Sequence, residues 1–210
     1  MNRIAAGEVI ERPASVVKEL VENAVDAGAG QIDVAFRGGG KSLIRVSDDG
    51  IGMASEDLEL AVERHATSKL PDGNLFAIAT LGFRGEALAS IASVAQLTLT
   101  SRNADASHAW EINGTSGAVP MPSSGALGTT LDVQDLYFNT PARRKFLKSE
   151  QTEFGHCAEV VRRIALSRPD VSFSLSHNGK TIDHWMAADF AKRSAQILGS
   201  DFANARLTLD

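Results

Sequence analysis

Three polar residues near the start of the chain have the chemistry of a phosphate-handling site. Glu19, Asn23 and Asp26 are spaced i, i+4 and i+7, so a helix would place them on one face. A carboxylate there could activate a water molecule, and an amide oxygen is a hard ligand for a divalent cation. The alternative interpretation is a solvated polar stripe, which is the commoner meaning of such a face on a surface helix.

Two glycine-containing clusters further along the chain add to this chemistry. Asp48 is followed by Asp49-Gly50-Ile51-Gly52 at the end of an apolar run, where an acceptor carboxylate would lie beside a closely approachable backbone. The run Gly82 to Leu88, Gly-Phe-Arg-Gly-Glu-Ala-Leu, opens into a helical pattern whose free N–H groups could hold an anion. A simple turn and an ordinary helix start are the competing interpretations of these two clusters.

A third glycine cluster imitates a phosphate-binding loop without fitting it. Gly40-Lys41-Ser42 has the last residues of a Walker A loop, yet Ala35 occupies the position that requires the first glycine. The tripeptide also lies between two predicted strands, whereas a P-loop joins a strand to a helix. We therefore interpret it as a hairpin turn.

The periodicity of apolar residues predicts the elements that position these clusters. It indicates strands over residues 31–37, 42–47, 97–101, 109–113, 129–134, 171–176 and 180–185, and helices over 14–27, 55–66, 86–94, 150–167 and 190–198. Helices interspersed with hairpins favour an α/β fold, a two-layer sandwich of a mixed, largely antiparallel sheet with helices on one face. Regularly alternating βαβ units are missing, which argues against a doubly wound parallel sheet.

Composition limits the class of protein. The 210 residues are 43% hydrophobic and 22% charged, which suffices for one main globular domain. No apolar run approaches the length that a membrane span requires, and the first residues lack the apolar region of a secretory signal. The single cysteine, Cys157, is interpreted as a buried apolar filler. We therefore expect a soluble, cytoplasmic protein. The net charge of −5 argues against DNA binding over the whole surface and leaves a local contact open.

Taken in order, these motifs resemble the ATP-binding motifs shared by DNA gyrase B subunits, Hsp90 chaperones, sensor histidine kinases and MutL proteins. The resemblance is closest to the MutL family of DNA mismatch repair proteins and implies a Bergerat-type ATP-binding fold. The runs that carry it cover residues 4–13, 18–28, 64–69, 82–88 and 138–146. Several of them are unbroken runs of seven or more residues in the order of the family.

The resemblance implies a role for each matching residue around a bound ATP. Glu19 matches the general base that activates the attacking water, and Asn23 matches the ligand of Mg²⁺. Asp48 matches the acceptor of the adenine amino group, which favours ATP over GTP. The other expected ATP contacts are Gly50, Gly52 and Thr129 near the base, Thr67, Ser68 and Lys69 in a lid, and Gly82, Phe83, Arg84, Gly85, Glu86, Ala87 and Leu88 in a phosphate cradle. Arg84 either contacts phosphate or braces Glu86.

The resemblance also implies a nucleotide-timed switch. In MutL proteins ATP orders the lid and brings two N-terminal regions together, and hydrolysis releases them. The implied cofactors are ATP and Mg²⁺. The implied partners of the intact protein are a MutS-type mismatch sensor, a downstream nuclease or helicase, DNA, and a second copy in an ATP-dependent homodimer.

A basic cluster suggests where DNA could touch this chain. Arg143, Arg144, Lys145 and Lys148 fall within thirteen residues, 137–149, that contain no acidic residue. They could contact DNA phosphates, or they could form a solvated face or pair with Glu150 and Glu153.

The ends of the chain depart from the family pattern. The chain begins almost at Ala5-Ala6-Gly7-Glu8, and it ends near the expected start of a second domain. We expect an ATP-binding domain over residues 1–200 and the beginning of a transducer-like domain over 201–210. Such a fragment should hydrolyse ATP slowly or not at all and stay largely monomeric.

Two other functions remain open at this stage. Another ATP-driven machine, such as a gyrase subunit or a chaperone, would share the fold, but the run from Phe138 to Phe146 argues against it. A non-catalytic nucleotide-binding or interaction module would not need Glu19 as a base.

Overall fold

The strands of the chain form one eight-stranded sheet in the computed structural model, which describes residues 10–62, 87–115 and 117–199. The strands are β1 (Gln31–Arg37), β2 (Leu43–Asp48), β3 (Gln96–Arg102), β4 (Ala109–Asn113), β5 (Met121–Ser123), β6 (Gly128–Gln134), β7 (Ser172–His177) and β8 (Lys180–Trp185). Their order is β5-β4-β3-β6-β2-β1-β7-β8, and every neighbouring pair within the described residues is antiparallel except β1 and β7. The predicted mixed, largely antiparallel sheet is confirmed.

Helices cover one face of this sheet, as predicted. They are α1 (Pro13–Asp26), α2 (Ser55–Val62), α3 (Ala87–Ala92), α4 (Pro141–Phe146), α5 (Glu150–Ser167) and α6 (Phe190–Leu198). The long helices α1 and α5 pack against each other, α1 also contacts β2, and α5 also contacts β7. Within the described residues, no helix has the length and apolarity that crossing a membrane requires.

Alternation along the strands separates the buried face from a polar outer face. Ile32, Val34 and Phe36 of β1 are buried, and the residues between them are only partly covered. On the outer face Arg45 forms a bidentate ion pair with Asp132, at 2.6 and 2.7 Å. The helices of the described residues therefore pack against only one side of the sheet.

Helix α1 presents two different faces to its surroundings. It begins with Pro13 at its first turn, where the missing N–H costs no hydrogen bond. Its apolar side chains are buried against the sheet and α5, and the largest of them, Leu20, is fully buried. Glu19, Asn23 and Asp26 are half-buried on the remaining face. The polar stripe is thus partly covered, unlike a fully solvated one.

Two elements were not predicted. Strand β5 has three residues inside a stretch rich in Gly, Pro and Ser, and α4 is a six-residue helix exposed along its whole length. Neither has the buried apolar periodicity from which elements are recognised. The glycines Gly38–Gly40 form a short 3₁₀ turn between β1 and β2, so the cluster Gly40-Lys41-Ser42 joins two strands as expected for a hairpin turn. Positions 63–66 and 86, which the sequence assigns to helices, lie outside the described residues.

Candidate functional site

Asp48, the last residue of β2, lies where the ends of three strands meet. It pairs in register with Thr129 at the start of β6, and β6 in turn pairs with β3. The Asp48 carboxylate accepts hydrogen bonds from the backbone N–H of Gly50, at 2.9 Å, and from that of Thr129. Burial raises the pKa of Asp48 to about 6, although these two bonds act in the opposite direction. Because a carboxylate has about four lone-pair sites and these two bonds use two of them, acceptor capacity remains for a ligand.

A buried hydroxyl network adjoins this carboxylate. The Ser101 Oγ atom, at the end of β3, lies 2.9 Å from Thr129 Oγ1 and 3.0 Å from the carbonyl oxygen of Gly128. It also accepts a hydrogen bond from the backbone N–H of Met53 at 2.9 Å. The network therefore joins β3, β6 and the turn that follows β2.

The turn after Asp48 depends on two glycines that the sequence singled out. A Cβ atom on Gly50 would lie 2.8 Å from the carbonyl oxygen of Ala27, which a real side chain would not tolerate. Gly52 has a φ of +67° and lies against the backbone of Arg102, so both its conformation and its surroundings require glycine. Ile51 donates its backbone N–H to the Ala27 carbonyl at 3.0 Å, which ties the turn to the end of α1.

Helix α1 brings its polar face to the same end of the sheet. The carboxylate of Glu19 is 17% exposed and lies 3.7 Å from Lys18 Nζ, which also bonds Glu22 at 3.2 Å. Asn23 follows one turn later and is half-buried, and its carbonyl accepts the backbone N–H of Ala27 at 2.9 Å. The predicted general base Glu19 and magnesium ligand Asn23 thus lie on α1, and the predicted adenine acceptor Asp48 ends β2 just before the turn that is attached to the end of α1.

Part of the predicted site lies outside the described residues. The expected lid and cradle positions Thr67, Ser68, Lys69, Gly82, Phe83, Arg84, Gly85 and Glu86 belong to this part. Ala87 and Leu88 open α3 and are half-buried, and Leu88 packs against the core. Their assignment to a phosphate cradle therefore stays a prediction.

Comparison with known proteins finds relatives of this fold. A family model described as histidine kinase-, DNA gyrase B- and HSP90-like ATPase matches residues 10–118. Among solved structures, the MutL ATPase domain of Aquifex aeolicus, determined in complex with ADP, superposes with a TM-score of 0.76 at 35% identity. The match covers 90% of this chain and 70% of that one. The chain belongs to the MutL ATPase domains of this family.

Curated relatives place this MutL-type domain within longer proteins. The DNA mismatch repair protein MutL of Herminiimonas arsenicoxydans is 67% identical over the whole chain, and that of Janthinobacterium sp. (strain Marseille) is 69% identical. In both cases the matched region is 35% of the relative. The chain therefore spans about a third of the length of the curated relatives that it matches.

The basic cluster of this MutL-type domain is displayed at its surface. Arg143, Arg144 and Lys145 are exposed on α4, and Lys148 follows that helix. The carboxylates that could have neutralised them are engaged elsewhere, with Glu150 at His177 and Asn178, and Glu153 at the Lys148 backbone N–H. Within the described part of the chain, none of the four basic side chains forms an ion pair with Glu150 or Glu153.

Ser101 was not identified from the sequence, although its position in β3 provides a signal. Ser101 continues the buried series Leu97 and Leu99 along β3, so a polar residue stands at a core-facing position. Such a residue needs internal hydrogen-bond partners, and here the partners are residues of the candidate site.

Cys157 is buried, as expected of a filler, and burial raises the pKa of its thiol to about 12.

Proposed function

We propose that this MutL-type domain binds ATP at the end of the sheet around Asp48 and hydrolyses it with Mg²⁺. The observation that carries the proposal is the Asp48 carboxylate, which is largely buried, held by two backbone N–H groups and attached through its turn to α1. A half-buried acceptor of this kind suits the exocyclic amino group of adenine. The related Aquifex aeolicus domain was determined in complex with ADP, which supports nucleotide binding by this fold.

The polar face of α1 supplies the groups for hydrolysis. The half-buried Glu19 would orient the attacking water and accept its proton. The described residues contain no group of three or more His, Cys, Asp or Glu side chains that could hold a metal ion. A Mg²⁺ ion that takes one protein ligand, the Asn23 amide oxygen, and completes its octahedron with phosphate oxygens and water fits this donor set. When bound, it would neutralise phosphate charge.

The remaining predicted residues complete the proposal. Gly82 to Leu88 would hold the phosphates through backbone N–H groups, and Thr67, Ser68 and Lys69 would belong to a lid that ATP orders. In the intact protein, lid ordering would drive dimerisation and connect a MutS-type mismatch sensor to a downstream nuclease or helicase. The exposed basic cluster on and after α4 supports DNA as a further partner.

Calorimetry tests the nucleotide site directly. We expect saturable binding of Mg²⁺ with a non-hydrolysable ATP analogue to the wild-type chain, and a loss of at least roughly tenfold in affinity for Asp48→Ala. Asp49→Ala serves as the matched control, because Asp49 bonds the backbone N–H groups of Gly30 and Gln31. It is not part of the base edge, by which we mean the Asp48 and Thr129 side chains that would face the adenine. Equal affinities for wild type and Asp48→Ala in folded protein would refute the site.

A binding module without catalysis is the second candidate, and the half-buried position of Glu19 opposes it. Glu19→Ala should abolish any hydrolysis while the ATP analogue still binds with an affinity within about threefold of wild type, because a general base contributes to turnover more than to ground-state binding. Hydrolysis that survives this substitution at the wild-type rate would favour the binding-module interpretation.

A further inference from the structure

Ser101 is the most fully buried hydroxyl group near the base edge. It is 2% exposed, and its Oγ atom has partners on three separate segments: Met53 in the turn, and Gly128 and Thr129 at the start of β6. All three distances lie between 2.9 and 3.0 Å. A hydroxyl with three good partners has a fixed orientation, because it carries one proton and two lone pairs.

Counting protons determines the direction of each bond. The backbone N–H of Met53 can only donate, so it uses one lone pair of Ser101. The carbonyl oxygen of Gly128 can only accept, so it takes the single proton of Ser101. The one lone pair left on Ser101 can bond Thr129 only if the Thr129 hydroxyl is the donor. This is the arrangement that satisfies all four groups, as buried polar groups require.

The direction of the Thr129 hydroxyl changes what the pocket offers a ligand. With its proton committed to Ser101, Thr129 Oγ1 presents only lone pairs, and the neighbouring Asp48 carboxylate presents only lone pairs as well. The base edge therefore presents two adjacent hydrogen-bond acceptors, Thr129 Oγ1 and the Asp48 carboxylate. It suits a ligand edge that donates from an amino group, and it opposes a carbonyl oxygen at the same position.

We propose that Ser101 is a positioning residue for base selection, which holds the Thr129 hydroxyl in the acceptor orientation toward the nucleotide. This inference rests on the proposed function, because it refines the same ATP site. Without Ser101 Oγ, the Thr129 hydroxyl would rotate and donate into the pocket, where the guanine carbonyl oxygen could accept. Ser101 thus acts on specificity through Thr129 and does not contact the base itself.

The ATP-to-GTP affinity ratio tests this role. Binding of non-hydrolysable ATP and GTP analogues with Mg²⁺ is measured by calorimetry for wild type, Ser101→Ala, Thr129→Val and the double variant. We expect Ser101→Ala to reduce the ratio by roughly five- to tenfold, the value of about one hydrogen bond, with part of the change from tighter GTP binding. In the Thr129→Val background, Ser101→Ala should leave the ratio unchanged, because the hydroxyl that it orients is gone.

Two further variants separate positioning from loss of structure. Ser194→Ala removes another fully buried serine hydroxyl, which bonds the Phe190 carbonyl in α6, and should leave the ratio at the wild-type value. Ser101→Cys keeps the side-chain size with a much weaker hydrogen-bonding atom, and should reproduce Ser101→Ala if alanine unfolds the domain. Ser101→Thr, which keeps the hydroxyl, should retain the ratio.

The outcomes distinguish this inference from the proposed function. An equal loss of affinity for both analogues in Ser101→Ala would show a purely structural role and overturn the inference while the ATP site stands. An unchanged ratio in both Ser101→Ala and Ser101→Cys would overturn it as well. Absence of analogue binding by folded wild type would refute the proposed function and this inference together.

Discussion

Asp48 and Arg193 are both ionisable and largely buried, yet they occupy opposite situations in the fold. Arg193, on α6, is 0% exposed, and its guanidinium stands 5.8 Å from the centroid of the Phe173 ring. Its two terminal nitrogens donate to five backbone carbonyls, those of Ala165, Arg168, Pro169, Val171 and Met186. Both terminal nitrogens are fully engaged, and among the described residues only the Nε–H lacks a partner, so the protein leaves no terminal donor of this cation for a ligand.

The Asp48 carboxylate accepts fewer hydrogen bonds from the protein than its lone pairs allow. Two backbone N–H groups hold it in place, but they do not offset its burial, and its pKa stays raised at about 6. The difference between the two regions is informative, because a buried cation whose terminal donors all bond backbone carbonyls holds elements of the fold together and offers a ligand nothing. A buried carboxylate that is held in place but retains free acceptor sites, such as that of Asp48, is a candidate ligand-binding group.

The largest expected effect is the loss of the carbonyl cluster around Arg193. Arg193→Ala would leave several buried carbonyl groups without a donor and separate α6 from the end of α5. We expect a loss of about 3–5 kcal/mol of unfolding free energy, as for other broken buried polar clusters. Urea denaturation followed by circular dichroism measures it, and the exposed neighbour Lys192→Ala serves as the control.

The same variant also tests how separate the two regions are. Because the described partners of the Arg193 guanidinium lie at the end of α5, in the segment from there into β7 and near Met186, the ATP-to-GTP affinity ratio of folded Arg193→Ala should equal that of wild type. A changed ratio would mean that the region around α6 takes part in base recognition, and would weaken the distinction.

The sequence predicted the architecture better than it predicted these polar contacts. The bounds of β1, β4, β8, α5 and α6 follow from apolar periodicity and agree with the structure. Asp48 and its glycines were found because they are adjacent in sequence and match a family motif. The partners of Ser101 and Arg193 were not, because they lie on different elements that only the folded register brings together. The signal was present in each case as a polar residue at a core-facing position.

Substitution of Gly128, which lies beside the base edge, should have a smaller effect. Its φ is +104°, and a Cβ atom there would collide with the backbone carbonyl of Asp48. We expect Gly128→Ala to destabilise the domain by about 2–3 kcal/mol and to weaken binding of the ATP analogue, because it displaces the strand that carries Asp48. Thermal denaturation and calorimetry measure the two effects.

Gly117 is the matched control for this substitution. Its φ of +76° is also in the left-handed region, but no atom of the described residues outside its immediate neighbours lies within 4 Å of the position that its Cβ would take. Gly117→Ala should therefore cost only the backbone strain, about 1 kcal/mol, and leave binding unchanged. Equal costs at the two glycines would show that the close approach of β6 to Asp48 adds nothing.

Asp48 itself should show a trade between stability and function. Its folded pKa is above that of an unfolded aspartate, so the folded state holds this proton more tightly. The resulting stability is present at low pH and is lost as the pH rises from about 4 through about 6. Asp48→Asn removes the buried charge, so we expect it to gain about 1–2 kcal/mol at pH 7 and lose this pH slope, while analogue binding falls. Urea denaturation at several pH values measures both.

Asp49 makes the last and smallest test, because it adjoins Asp48 but resembles Arg193 in its bonding. One oxygen of its exposed carboxylate accepts the backbone N–H groups of both Gly30 and Gln31 at 2.8 Å. Asp49→Ala should therefore destabilise the domain by about 1 kcal/mol, in the opposite direction to Asp48→Asn, and keep analogue affinity within about twofold. If Asp49→Ala instead abolished binding at unchanged stability, completeness of bonding would not separate structural from ligand-binding charges in this fold.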